Sequence, residues 1–217
     1  MVERSAQHLE IIEIIERVGI VPVLTIDDES AAQDLCDALI DGGSPLVEIT
    51  LRTPAAIPAI RTAAADARML VGAGTALSVA QVDAAAEAGA RFVVSPGTGR
   101  AVIERCQELE LLCIPGAATP TEVMDCMELG LDVVKFFPAE GFGGTSVLRD
   151  LMLLFPEVRF VATGGITPEN TPDYLAVPAV LAVGTDWMAT RPMIQDRDWA
   201  SVRRITAETT ALRASLA

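Results

Sequence analysis

At 217 residues the chain is long enough for one large core and short for two ordinary domains, so a single domain over residues 1–217 is expected. A formal net charge of -14 repels a phosphate backbone and excludes nucleic-acid binding, while the apolar runs, although 51% of residues are hydrophobic, stay far short of the ~20 residues that cross a bilayer. A lone histidine, His8, and four cysteines without a CxxC pair (Cys36, Cys106, Cys113, Cys126) speak against His-rich metal sites and Ser/His/Asp triads and leave the thiols reduced and buried.

In chain order, residues 1–17 read as an acidic helix with Ile11, Ile12, Ile14 and Ile15 at helical spacing, not as an export leader. The chain is therefore expected to be cytoplasmic, with His8 on the helix surface. Beyond it, β-branched runs at 20–26, 46–51, 69–74, 92–96, 111–115, 133–138, 159–164 and 179–184 alternate with helical stretches such as 29–40, 79–88 and 145–154. Eight strands with intervening helices predict an α/β fold, a closed (β/α)8 TIM barrel with an N-terminal helix before strand 1. The competing open, doubly wound sheet calls for a GxGxxG turn after the first strand, and residues 22–28 carry none. In a barrel, chemistry belongs at the C-terminal ends of the strands.

Of the 16 basic residues only Lys135 is a lysine, and it stands inside the apolar run Val133-Val134-Lys135-Phe136-Phe137. Burying an unpaired ammonium is expensive, so its place needs a reason. Strand alternation puts Val133, Lys135 and Phe137 on one face, and Glu48, Thr50 and Arg52 together on the barrel face of the second strand. Desolvation disfavours an ammonium and makes a neutral amine accessible for attack on a ketone; Glu48 could then move protons, and Arg52 could grip a carboxylate through two parallel hydrogen bonds. These three residues point to a 2-keto acid. A structural ion pair between Lys135 and Glu48 is the bland alternative. Further on, Gly164-Gly165 offers backbone N–H groups and Thr167-Pro168 can cap and start a helix, which together suggest an anion cradle.

Six segments, Val47 to Thr53, Gly72 to Thr75, Ser95 to Gly97, Ile114 to Gly116, Lys135 to Glu140 and Thr163 to Ile166, resemble in order and spacing the 2-keto-3-deoxy-6-phosphogluconate / 4-hydroxy-2-oxoglutarate aldolases. The resemblance implies a class I aldolase that cleaves a 2-keto-3-deoxy sugar acid to pyruvate and an aldehyde, without metal or organic cofactor. It further implies Lys135 as Schiff-base lysine and Glu48 as acid/base. Arg52 and Thr75 would bind the carboxylate, Pro96 and Phe137 line the pyruvate pocket, and Thr163 contact hydroxyls. Gly164, Gly165 and Gly184 would approach the phosphate. A homotrimer is also implied. One position departs: the family usually has serine where this chain has Asp186. A carboxylate there opposes a phosphate, caps the following segment, or binds the hydroxyls of an unphosphorylated sugar acid. Two competitors stand outside this reading: a metal-dependent lyase, which EDTA sensitivity would reveal, and a non-catalytic ligand-binding barrel, which would form no imine with pyruvate.

Overall fold

The structure, a computed structural model, describes residues 5–216. Eight strands, β1 (Ile20–Leu24), β2 (Leu46–Thr50), β3 (Leu70–Gly74), β4 (Phe92–Val94), β5 (Leu112–Ile114), β6 (Val133–Phe136), β7 (Arg159–Thr163) and β8 (Val180–Thr185), run parallel in the order β5-β4-β3-β2-β1-β8-β7-β6. The ring closes between its two end strands. Lys135 N–H donates to Pro115 O at 2.8 Å and Ala117 N–H to Lys135 O at 2.9 Å, bridging Gly116 to Lys135. The helices are α1 (Ala6–Val18), α2 (Ala32–Asp41), α3 (Ala56–Ala64), α4 (Val79–Glu87), α5 (Arg100–Glu108), α6 (Pro120–Glu128), α7 (Gly144–Leu154), α8 (Thr171–Leu175), α9 (Arg191–Gln195) and α10 (Trp199–Ser215). This is the (β/α)8 barrel expected from the alternation, with α1 ahead of β1. No helix among the described residues is long and apolar enough to cross a membrane.

Most strands end earlier than their apolar runs. Pro96, Pro115 and Pro138 fall beyond β4, β5 and β6, because proline has no N–H to give to a ladder. Only β8 runs on, by one residue, to Thr185. Helix starts follow their local chemistry: Ser5 caps α1 by accepting from His8 N–H, and Thr119 and Glu122 form a reciprocal capping box around Pro120 at the start of α6. The expected helix start at Thr167-Pro168 is not found. Thr167 N–H donates to Asn170 Oδ1 and Asn170 N–H to Thr167 Oγ1, so these residues fold into a turn and α8 begins only at Thr171.

The barrel interior is apolar at its floor and polar at its mouth. Ile11, Ile12 and Ile15 of α1 cluster with Val21, Leu46, Leu70, Phe92, Leu112, Val133, Val161 and Leu181, plugging the N-terminal end. Each isoleucine so buried contributes roughly 1.5–3 kcal/mol of transfer free energy. Two residues further along the same inward faces come Glu48, Lys135 and Thr163, while Val47, Ile49, Val134 and Phe136 face the helices. His8 is more than the surface residue expected: its Nε2 meets Glu110 O at 2.9 Å, tying α1 to the turn before β5. At this same end, β5 and β6 border a cleft of about 920 Å³ lined by Leu112, Cys113, Leu131 and Val133. It lies opposite the mouth and holds no member of the Lys135 cluster.

Candidate active site

The inward faces of β2 and β6 bring Glu48 and Lys135 together. Lys135 Nζ lies 3.6 Å from Glu48 Oε1, and the two side chains are 6% and 4% exposed. At that distance the attraction is about 5 kcal/mol for an effective dielectric of 20, against a desolvation cost of several kcal/mol for each ion. The pair therefore contributes little net stability. It also falls short of a charge-assisted hydrogen bond, which needs ~2.7–2.9 Å. Glu48 Oε1 and Thr163 Oγ1 are both buried at this end of the barrel with no hydrogen-bond partner among the described residues. Unbonded buried oxygens of this kind typically cost ~1–3 kcal/mol each, so a structure that keeps two of them where an amine is buried is set up to receive a polar ligand. Phe137, two residues past Lys135, places its ring centroid 5.1 Å from Nζ, within cation–π range.

Glycines shape this interior. A Cβ on Gly74 would lie 2.1 Å from Glu48 Oε1, and one on Gly72 would lie 2.1 Å from the Phe92 ring, so β3 is hollowed out to admit the carboxylate above and the aromatic floor below. The sequence reading took these glycines only as part of a family motif. A gap of this kind shows itself only when the partner strand is in register, with Glu48 opposite Gly72 and Thr50 opposite Gly74. Gly184, buried in β8 opposite Thr163, likewise makes room: its Cβ would stand 2.5 Å from Thr163 Oγ1. Thr75, just past β3, is partly buried at φ +60°, a backbone setting that β-branched residues rarely adopt and that tends to mark functional positions. Thr50, expected on the barrel face, is joined by a hydroxyl that sequence reasoning missed: Thr25, just past β1, lies 2.9 Å from it, one step above Val23 and Glu48.

Arg52 is not a β2 residue as the alternation suggested. β2 ends at Thr50 because the chain turns there, with Arg52 N–H donating to Thr50 O, and Arg52 lies exposed in that turn. Its guanidinium has no ion-pair or hydrogen-bond partner among the described residues. Two other arginines at this end are occupied: Arg191 grips both carboxylate oxygens of Asp27, and Arg197 bonds Asp28. Pro96 is partly buried in the turn after β4, and a Cβ on Gly116 would lie 2.2 Å from Pro96 O, packing the turns after β4 and β5 together. Gly164 and Gly165, both in the left-handed region at φ +99° and +76°, make the turn after β7. Asp186 follows β8, exposed, at the head of a short 3-10 turn whose amides its side chain does not cap, so the capping alternative fails.

Other nucleophiles are poorly placed. All four cysteines are free and buried; burial pushes the Cys36 thiol up to about 12, and the Cys106 contact followed by burial raises Cys113. Among the described residues no group of three His, Cys, Asp or Glu side chains is arranged to hold a metal ion.

A barrel with a buried amine and carboxylate at its C-terminal mouth defines a Schiff-base aldolase, a carbon–carbon lyase. The chain belongs to the KDPG and KHG aldolase family, whose model matches residues 11–205. It is 43% identical over 204 residues to the 2-dehydro-3-deoxy-phosphogluconate aldolase of Treponema pallidum, covering 93% of this chain and 96% of that protein. Among solved structures, the 2-keto-3-deoxy-6-phosphogluconate aldolase of Zymomonas mobilis with 3-phosphoglycerate aligns at TM-score 0.86 and 39% identity, over 93% of this chain and 95% of that one. The KDPG aldolase of Legionella pneumophila, with pyruvate captured as a covalent carbinolamine, aligns at TM-score 0.88 and 34% identity, over 91% and 97%.

Proposed function

We propose that this protein cleaves a 2-keto-3-deoxy sugar acid, such as 2-keto-3-deoxy-6-phosphogluconate or 4-hydroxy-2-oxoglutarate, reversibly to pyruvate and an aldehyde. The observation that supports it most is the sealed Lys135–Glu48 pair with its unbonded carboxylate oxygen. Neutral Lys135 attacks the C2 ketone, water leaves, and a protonated imine results. Glu48, directly or through water, takes the proton of the C4 hydroxyl; the C3–C4 bond breaks, its electron pair moves into the enamine, and the aldehyde departs. Protonation at C3 and hydrolysis of the imine release pyruvate and restore the amine.

Arg52, the unengaged guanidinium beside β2, and Thr75 bind the substrate carboxylate, with Pro96 and Phe137 walling the pyruvate end. Thr163 meets hydroxyls through its unbonded oxygen. The distal group lies toward Gly164, Gly165 and Gly184. Asp186, exposed just past β8 with no capping hydrogen bond, opposes a phosphate there by its charge and can accept from the hydroxyls of an unphosphorylated distal group. The chain acts as one domain, in the cytoplasm, where free buried thiols are stable, and assembles as a homotrimer; Leu77, Leu153 and Leu154, the most exposed of the large apolar side chains among the described residues, are on offer for an interface. A retro-aldol panel of phosphorylated and unphosphorylated 2-keto-3-deoxy acids, read as pyruvate release, tests the reading. Release from at least one of them is expected; silence across the panel removes it.

A further inference from the structure

The turns after β6 and β7 are locked to each other. Ala139 N–H donates to Thr163 O at 2.8 Å and Glu140 N–H to Gly164 O at 3.1 Å. A Cβ built on Gly165 would lie 2.7 Å from both Cβ and Cγ of Glu140, so the diglycine turn rests directly on that side chain. The Glu140 carboxylate in turn accepts a hydrogen bond from the phenol of Tyr174 on α8. Tyr174 is the chain's single tyrosine and is 1% exposed. Burial, and then the Glu140 carboxylate, holds its phenol well above the ordinary tyrosine range, so it remains a donor around neutral pH. The backbone at the start of α7 closes over this contact: a Cβ on Gly144 would sit 3.2 Å from both Glu140 Oε1 and the Tyr174 hydroxyl.

Phenylalanine would fill the same core volume beside Leu148 and Val177, so packing does not account for the hydroxyl. What the hydroxyl does is direct a carboxylate. The Glu140 side chain lies directly beneath the two left-handed glycines of the turn, and if released its carboxylate could occupy the turn's amides itself. We propose that Tyr174 and Glu140 form a positioning pair that determines distal-group specificity: Tyr174 draws the Glu140 carboxylate away from the Gly164-Gly165 turn and keeps that turn open to the substrate. The inference rests on the reading of this turn as the distal subsite.

The test is steady-state cleavage of a 6-phosphorylated 2-keto-3-deoxy acid, with borohydride trapping of pyruvate as a measure of the imine end. Tyr174→Phe should raise KM about tenfold, the scale of one lost hydrogen bond to a charged group, with kcat and pyruvate trapping held. The double variant Tyr174→Phe, Glu140→Gln removes the competing anion and should recover most of that KM. A merely structural tyrosine would give no such rescue, and a double variant no better than Tyr174→Phe overturns the inference. So does an unchanged KM in Tyr174→Phe, or a parallel loss of pyruvate trapping. Gly165→Ala separates the two readings. If it leaves KM unchanged, the distal subsite is elsewhere and both fall; if it raises KM while Tyr174→Phe does not, only the positioning role falls.

Discussion

Glu48 has a choice of roles that its geometry narrows. A carboxylate that only neutralised Lys135 would be expected to bond it at ~2.7–2.9 Å through the oxygen that faces it. Here the separation is 3.6 Å and Oε1 has no hydrogen bond. For Glu48→Gln, imine formation with pyruvate should therefore survive while turnover falls roughly 10²- to 10⁴-fold, the usual span of a lost general acid/base. Equal losses in trapping and turnover would return Glu48 to a structural pair. Asp186 carries the opposite kind of expectation, because it is exposed and its side chain makes no capping hydrogen bond. Asp186→Ser should improve kcat/KM for a 6-phosphorylated substrate over its unphosphorylated counterpart about tenfold, since ~1.4 kcal/mol of relieved repulsion is one decade. The gain should shrink at high salt. An unchanged ratio would place Asp186 away from the ligand.

The elements were largely legible before the fold was seen. β-branched runs marked the eight strands, and the parity that set Val133 and Lys135 against Val134 and Phe136 agrees with the packing, Val133 at the barrel floor and Val134 and Phe136 against the helices. Parity failed at Arg52, where the chain leaves the strand after Thr50 and alternation no longer applies. It was silent on Gly72 and Gly74, whose purpose depends on Phe92 and Glu48 from neighbouring strands, and on Tyr174, which meets Glu140 across 34 residues of sequence. Local composition cannot report a gap that another strand fills. The clasp between the loop after β1 and α9 was equally hidden. Asp27 receives two bonds from Arg191 and one from Gln195; the Arg191 hydrogen bond, followed by Gln195, holds its carboxyl below the usual 3.8 despite some burial. A depressed folded-state value means that this contribution is full above pH 3.8 and is lost as pH falls through the lower folded value. Asp27→Asn should thus lower Tm by about 1–3 °C near neutral pH, a modest effect for an exposed pair. The gap from the unsubstituted protein should close in acid, and a gap that persists there would mean that the clasp acts through something other than charge.

At the scale of the whole molecule, a net charge of -14 on every chain opposes assembly, whereas exposed Leu77, Leu153 and Leu154 favour it. Sedimentation should find a species of roughly three chain masses that dissociates more readily at low salt, where charge is less screened. A monomer at every ionic strength would contradict the trimer. The same composition that isolates Lys135 supplies the decisive measurement, because the chain has one lysine and its only other aliphatic amine is the terminal one. The intact protein, incubated with pyruvate and reduced with borohydride, should gain a single stable mass increment that maps to the peptide containing Lys135 and is absent from Lys135→Met. No increment, or an increment that survives in Lys135→Met, would contradict a Schiff base at Lys135.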